Sequence, residues 1–384
     1  MHTIVDMEFK YCKQCLQPNT RPNESEWING ICWACTNHAK NKDIDYNERF
    51  LELQELVKKA KNEKNESQKY DCIIGVSGGK DSTRQALWVR NKLGLKPLLV
   101  SLTYPPEQLS DIGAYNLSNL ISLGFDTIIS GPSPQTWQIL MRAAFMKYAN
   151  WARATEIALY SSVPSFAIAQ DINLIFIGEN QSLRDQRTIG EKPWEYDDMM
   201  MQNTLNGGDI EWMKNTGVEE KKLLQYIYPS NEVLKDKGIR IIDLGWFIGD
   251  WDNEKNGMIG CLNGIRLRKD KPLNTGDIEG ISALDEDWVT LNQMIKYYKF
   301  GYGKVTDYVN EYIRLGKLTR NQGIELVEKY DGKCSKDYII SFCKYIDITE
   351  EEFWDVVIKN INKDLFEVGI DGSIRRRFNI GSGS

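Results

Sequence analysis

Short apolar runs alternate with longer stretches of helical period through the middle of the chain. Runs at 71–76, 97–102, 126–130, 173–178 and 239–244 are rich in Ile, Leu and Val and read as strands. Between the first four, apolar residues recur at three- and four-residue spacing, which predicts helices at 81–94, about 108–123, 134–149 and 153–170. Strands separated by helices predict an α/β fold with a doubly wound, Rossmann-like parallel sheet. In such a sheet ligands gather at the carboxyl ends of the strands. That edge would bring together residues 77–82, 101–104, 130–131 and 178–180.

The pattern changes on either side of this block. Residues 46–69 read as an amphipathic linker helix that becomes strongly charged. Residues 181–240 are rich in Asp, Asn, Met and Trp without a clean period, and read as an insertion, about 181–238, over the crevice. Residues 285–365 are helical; Thr349 followed by Glu352 before Phe353-Trp354 is a capping box, and the aromatic residues there recur at core spacing. The expected division is 1–45, a cysteine ribbon; 46–69, the linker; 70–250, the sheet domain with its insertion; 251–380, a mainly helical region; and 381–384, a tail. No internal repeat is visible.

The chain has 384 residues, is 41% hydrophobic and carries a net charge of −6. That balance argues against a broad nucleic-acid surface, and the basic stretches at 58–61 and 375–377 are short. No apolar run approaches the ~20 residues of a membrane span, and the first residues lack a signal-peptide pattern. Eight cysteines do not make a disulfide-rich composition. The expected location is the cytoplasm.

Four of those cysteines form two pairs, Cys12/Cys15 and Cys32/Cys35, with 16 residues between them. This is the spacing of a four-thiolate zinc ribbon. Pro18, Pro22 and Asn29-Gly30 supply turn chemistry for a short hairpin between the pairs. A closed four-cysteine site has no open coordination position, so structural Zn2+ is expected, with an iron–sulfur cluster or a redox role as the alternatives. His38 is a spare donor by spacing and reads as a surface residue.

The most informative segment is Ser77-Gly78-Gly79-Lys80-Asp81-Ser82, between the strand at 71–76 and the helix at 81–94. Two glycines let the backbone approach a ligand, and the helix N-terminus favours negative charge. Lys80 adds a cation, while Ser77 and Ser82 add hydroxyls. Asp81 beside a phosphate would be repulsive without a cation between them, which predicts Mg2+ on Asp81. The ordinary P-loop is excluded, because Ile74 stands at its first glycine and Asp81 at its Ser/Thr.

The segment resembles the SGGxDS loop of the PP-loop ATP pyrophosphatase superfamily. The resemblance implies that ATP is cut between its α- and β-phosphates and that pyrophosphate is held in the loop. A carbonyl oxygen would then be adenylated, and a nitrogen or sulfur nucleophile would displace AMP. Lys80, Asp81 and Mg2+ would neutralise the departing pyrophosphate. Ser101, Gly178 and Asn180, at the ends of other strands, join Ser77–Ser82 as expected nucleotide contacts. His2 and His38 are the only histidines, so acid–base work in the crevice falls to other groups. Glu179 and Glu156 are the candidates by position, a plain helix-surface charge being the other reading of Glu156.

Sulfur transfer, as in a PP-loop tRNA-thiolating enzyme, is the alternative. It is disfavoured because Cys72, Cys261, Cys334 and Cys343 are single and scattered, and Cys72 reads as packing at the head of a strand. No Cys–His–Glu glutaminase triad can be assembled. Ammonia must therefore come free or from a partner.

Over about residues 10–360 the chain resembles the N-acetyl sugar amidotransferase family of surface-polysaccharide and flagellin-glycan pathways. The resemblance is carried by the ribbon cysteines, residues 71–82, Leu98–Val100, Phe176–Asn180, Lys299–Gly303 with Thr306-Asp307, and Ile348–Trp354. It implies an ATP-dependent enzyme that adenylates the N-acetyl oxygen of a free or nucleotide-linked sugar. Ammonia then displaces AMP to leave an acetamidino group. The family's ammonia is believed to come from a separate glutaminase–synthase pair resembling the subunits of imidazole glycerol phosphate synthase. Gln181-Ser182 stands where the family pattern has Pro-Ala, and Trp151–Glu156 is variable, so the sugar is left open.

Overall fold

A computed structural model describes residues 8–22, 27–41, 44–64, 68–178 and 208–383. All five apolar runs are strands of one parallel sheet: β1 (Cys72–Gly75), β2 (Pro97–Leu102), β3 (Thr127–Ser130), β4 (Leu174–Ile177) and β5 (Arg240–Asp243). Their spatial order is β3-β2-β1-β4-β5. The chain moves outward from β1 through β2 and β3, then returns to lay β4 on the other side of β1. This reversal makes the carboxyl end of β1 the switch point, where the sheet leaves a crevice.

The register explains how both faces are covered. Ile73 is level with Leu98 and Ile175, and Ile74 with Leu99 and Phe176. Alternate residues point to opposite faces. Ile74, Leu99 and Phe176 pack with residues of α2 (Tyr46–Asn62) and α3 (Lys80–Leu93). Ile73, Leu98 and Ile175 pack with Ala167 of α6 (Ala152–Ala169) and Leu234 of α8 (Asn231–Asp236). Each such side chain stabilises the fold by about 1.5–3 kcal/mol relative to exposure.

Two helices differ from their expected limits. The helix expected from about 108 is α4 (Asp111–Ser122), because the Ser110 hydroxyl accepts a bond from the Gly113 N–H at 2.8 Å and caps it there. The linker helix, expected to reach 69, ends at Asn62. Ala60 is the last residue it buries, and Lys61, Asn62 and Glu63 after it are exposed, so no burial favours a further turn there.

Beyond α9 (Asn253–Leu262) the chain is mainly helical, as expected: α11 (Val289–Phe300), α12 (Lys304–Arg314), α13 (Arg320–Tyr330), α14 (Lys336–Ile346) and α15 (Glu350–Asn360). The aromatic residues form a core with α5 (Pro134–Tyr148) and α6. Phe145 stacks on Phe353 at 5.1 Å, and Phe342 meets Phe145 and Trp288 edge-on at 5.2 and 5.5 Å. The capping box is made as expected, with bonds between Thr349 and Glu352 at 2.8 and 3.1 Å. A small antiparallel hairpin, Phe366–Val368 against Ile374–Arg376, follows just beyond the stretch expected to be helical. Among the described residues no helix is long and apolar enough to cross a membrane.

Candidate functional site

A cleft of about 1050 Å³ opens at the switch point. Its floor is the 77–82 loop. Gly78 has φ +77°, and a Cβ there would lie 2.7 Å from the Leu117 nitrogen and 2.9 Å from the Asn116 carbonyl carbon. Only glycine fits this turn without moving backbone. The Gly79 N–H donates to the Ser77 hydroxyl at 3.3 Å, and the Ser82 hydroxyl donates to the Gly79 carbonyl at 3.2 Å. Gly79 is the N-cap of α3, and no side chain caps the helix. First-turn N–H groups have no intrahelical acceptor, so this end of α3 faces the cleft with donors and a positive dipole.

Lys80 and Asp81 stand at the loop's mouth. Lys80 keeps only 6% of its side-chain surface, whereas Asp81 keeps 41%, facing into a cleft whose protein walls surround it. Lys80 Nζ lies 2.6 Å from Asp81 Oδ2, and Asn256 Nδ2 donates to Asp81 Oδ1 at 2.6 Å. Burial pushes the Asp81 pKa up, but the Lys80 charge and these hydrogen bonds outweigh it and hold Asp81 below the usual carboxylate range. Asn256 is in turn fixed by Arg84 of α3, which also pairs with Asp250. Gly260 of α9 lies against Lys80, and a Cβ there would collide with the Ile265 side chain at 2.5 Å. The loop is thus held from behind by a polar network.

Other parts of the wall come from distant parts of the chain. Arg21 and Gln17 of the ribbon line it, as do Lys304, Asp307 and Tyr308 of α12. Asp307 is paired with Arg21 and, at 2.8 Å, with Lys296. Burial raises its pKa, yet Lys296, Arg21 and Lys304 together hold Asp307 far below the usual range.

The four ribbon cysteines converge. All are fully buried, and the Sγ atoms of Cys12, Cys15, Cys32 and Cys35 lie within 4.8 Å of one another. N–H groups of Gln14, Gln17 and Cys32 donate to sulfurs at 3.3–3.4 Å, as expected around thiolates in tight knuckles. Hydrogen bonds among the four sulfurs hold Cys12 far below the ordinary thiol range, while burial raises Cys15 and the bonds to Cys12 raise Cys32 and Cys35. Such a cluster fits a tetrahedral divalent cation. Asn29 and Gly30 have φ values of 53° and 81°, and the two N–H···O bonds between Ile28 and Ile31 close a two-residue hairpin between the pairs. His38 is not in the cluster; it lies on α1 (Trp33–Lys40) and lines the cleft instead of standing on the outer surface.

The structure brings Ser77, Gly79, Lys80, Asp81, Ser82 and Gly178 to the cleft, with Gly78 shaping the turn. Ser101 is not among the cleft walls. It is buried within β2, and its hydroxyl turns to the Leu102 carbonyl at 3.4 Å. Glu156 is not among them either. It lies on α6 one turn before Leu159 and Tyr160, which do line the cleft, and its charge acts on Tyr104. Glu179, Asn180 and most of the expected insertion, 181–207, lie outside the described residues. Sequence reasoning missed Arg21, Asn256, Lys304 and Tyr308. Of these only Lys304 and Tyr308 had a signal, since both flank the Thr306-Asp307 segment.

Residues 284–374 match a family model described as LPS biosynthesis protein WbpG-like, C-terminal domain. No curated protein matches the chain. The match supports a polysaccharide-biosynthesis family. It begins beside the cleft at Leu284 and runs from α11 into the terminal hairpin, so it includes Lys304, Asp307 and Tyr308.

Proposed function

We propose that the chain is an ATP-dependent, AMP-forming sugar amidotransferase of polysaccharide biosynthesis, within the PP-loop ATP pyrophosphatase superfamily. The observation that carries this reading is the glycine-led, uncapped N-terminus of α3 at the switch point, with Lys80 and Asp81 lining a deep cleft. That arrangement suits a triphosphate: backbone donors and Lys80 take phosphate oxygens, and the whole cradle is held rigid from α9. Asp81 offers one carboxylate beside the phosphates, which fits the way Mg2+ is bound, through few protein oxygens and several phosphate ones. Bound there, Mg2+ would offset charge on the departing pyrophosphate. The cysteine cluster would hold Zn2+ in a structural role.

The chemistry then proceeds in two displacements. The amide oxygen of an N-acetyl sugar attacks the α-phosphorus, and the bond to pyrophosphate breaks. Ammonia adds to the activated carbon and loses protons to a base; the C–O bond breaks, AMP leaves and an acetamidino sugar remains. Glu179 and Glu156 remain the proposed acid–base groups, Glu156 from one helical turn beyond the cleft wall. Ammonia would come from a separate glutaminase–synthase pair, because the two histidines offer no glutaminase triad. The reading assigns the reaction to the cytoplasm, where ATP and reduced thiols are supplied. Cys72, Cys261, Cys334 and Cys343 are not among the residues of the cleft wall. Burial also pushes Cys334 and Cys343 up to about 12 and 11, which weighs against sulfur transfer.

The test is incubation of N-acetylated sugars with Mg-ATP and ammonium. AMP, pyrophosphate and a product in which NH replaces one oxygen are expected. Asp81→Asn should abolish AMP release while melting as the unaltered chain does. Formation of ADP, or full activity in Asp81→Asn, would sink the proposal.

A further inference from the structure

Lys304 opens α12 and lines the cleft with the loop. Among the described residues no carboxylate forms an ion pair with it, and its ammonium lies 4.7 Å from the centre of the Tyr308 ring. The nearby acids are already engaged. Asp307 takes Lys296 and Arg21. Asp331 accepts bonds from the Gly303 N–H, the Val305 N–H and the Thr306 hydroxyl at 2.6–3.0 Å. Asp277 accepts from the Glu279 and Gly280 N–H groups. Burial lowers the Lys304 pKa; the charges of Asp307 and Asp277 oppose that shift, and those of Lys80 and Lys296 add to it. The Lys304 charge in turn helps to lower Asp81. Lys80 and Lys304 therefore line one cleft together with Asp81, and an added anion would relieve the repulsion between the two ammonium groups.

We propose that Lys304 is the second arm of an anion site: with Lys80 it holds the pyrophosphate portion of a nucleoside triphosphate, reaching it from α12. The proposal rests on the reading of residues 77–82 as a triphosphate site. It gives the segment matched by the family model a direct share in that site, through a residue 224 positions from Lys80 (304 − 80). Lysine suits the place, because a compact ammonium on a flexible stem can follow the phosphates as they separate.

Calorimetric titration of the full chain with inorganic pyrophosphate and with Mg-ATP tests this, using Lys304→Met, Lys304→Arg and Lys80→Met. Lys304→Met should weaken pyrophosphate binding by roughly tenfold to a hundredfold, as for loss of a charged hydrogen bond. Lys304→Arg should keep most of the affinity, and both should melt as the unaltered chain does. If Lys80→Met loses pyrophosphate while Lys304→Met binds it normally, the Lys304 assignment is overturned and the loop reading stands. If the unaltered chain binds neither ligand, the loop reading fails and takes this one with it. Should Lys304→Met melt early, the unaltered chain decides. Pyrophosphate must then shield Lys304 from amine acylation, read by peptide mass spectrometry, and unchanged labelling overturns the assignment.

Discussion

Glu286 is a carboxyl group where a carboxylate is costly. Burial, with the neighbouring Asp285 adding to it, pushes its pKa up to about 8 from an ordinary 4.5. Its oxygen accepts the Trp288 N–H at 2.7 Å and the Gln108 amide at 3.3 Å. The folded protein therefore holds this proton more firmly than the unfolded chain does. The sign follows: stability is highest below pH 4.5 as far as this group is concerned, and falls as pH rises from 4.5 to about 8. Glu286→Gln keeps the shape and removes the proton. Urea unfolding of that variant should show a flatter decline over the same window, and an equally steep one would assign the titration to another group. At this scale the sequence was legible where chemistry is contiguous, as in Ser77–Ser82. It was not legible for Asn256, which reaches Asp81 from 175 positions away with no marker on a polar helix face. Glu156 was placed by the right edge of the sheet but one helical turn from the cleft wall.

Elements were easier to read than their ends. The strands were visible because parallel strands buried on both faces leave unbroken apolar runs. The Asn29-Gly30 turn was visible because few residues accept positive φ twice in succession. The start of α4 was not, since it depends on which of several polar residues caps it. The turn before α3 offers a sharper test. Gly78→Ala would force a Cβ against the backbone of α4 at a positive φ. A loss of about 1–3 kcal/mol in stability is expected from strain of this kind, together with loss of Mg-ATP binding. Calorimetric melting and nucleotide titration measure the two. Normal nucleotide affinity would show that the close backbone approach is dispensable.

In the whole molecule the ribbon is a built-in wall rather than an appendage. The Leu16 N–H donates to Asn310 at 2.7 Å, Arg320 donates to the Cys15 carbonyl at 3.3 Å, and Leu16 packs with Val305, Val309 and Val327. The cysteine spacing made the knuckles visible but not this docking, which depends on α12 and α13. Replacing Cys12 and Cys32 by Ser should release bound metal and lower the melting temperature. Because Arg21 and Gln17 belong to the cleft wall, nucleotide affinity should fall as well. Metal analysis, melting and titration of the same preparation check all three. Unchanged metal content would defeat the ribbon assignment, and intact affinity after metal loss would separate the ribbon from the cleft.

The docking also sets an order of events during synthesis. Leu16 and Asn310 are 294 positions apart. At translation speeds of roughly 5–20 residues per second, the ribbon leaves the ribosome ~15–60 s before the helix it rests on. For that interval its apolar side has no floor, and its few backbone pairings cannot hold a fold of such size. The four thiolates can, if they close around an ion as soon as Cys35 emerges. On this view the cluster's most demanding task falls before the rest of the protein exists: it keeps the first part of the chain in shape until the last part arrives to receive it.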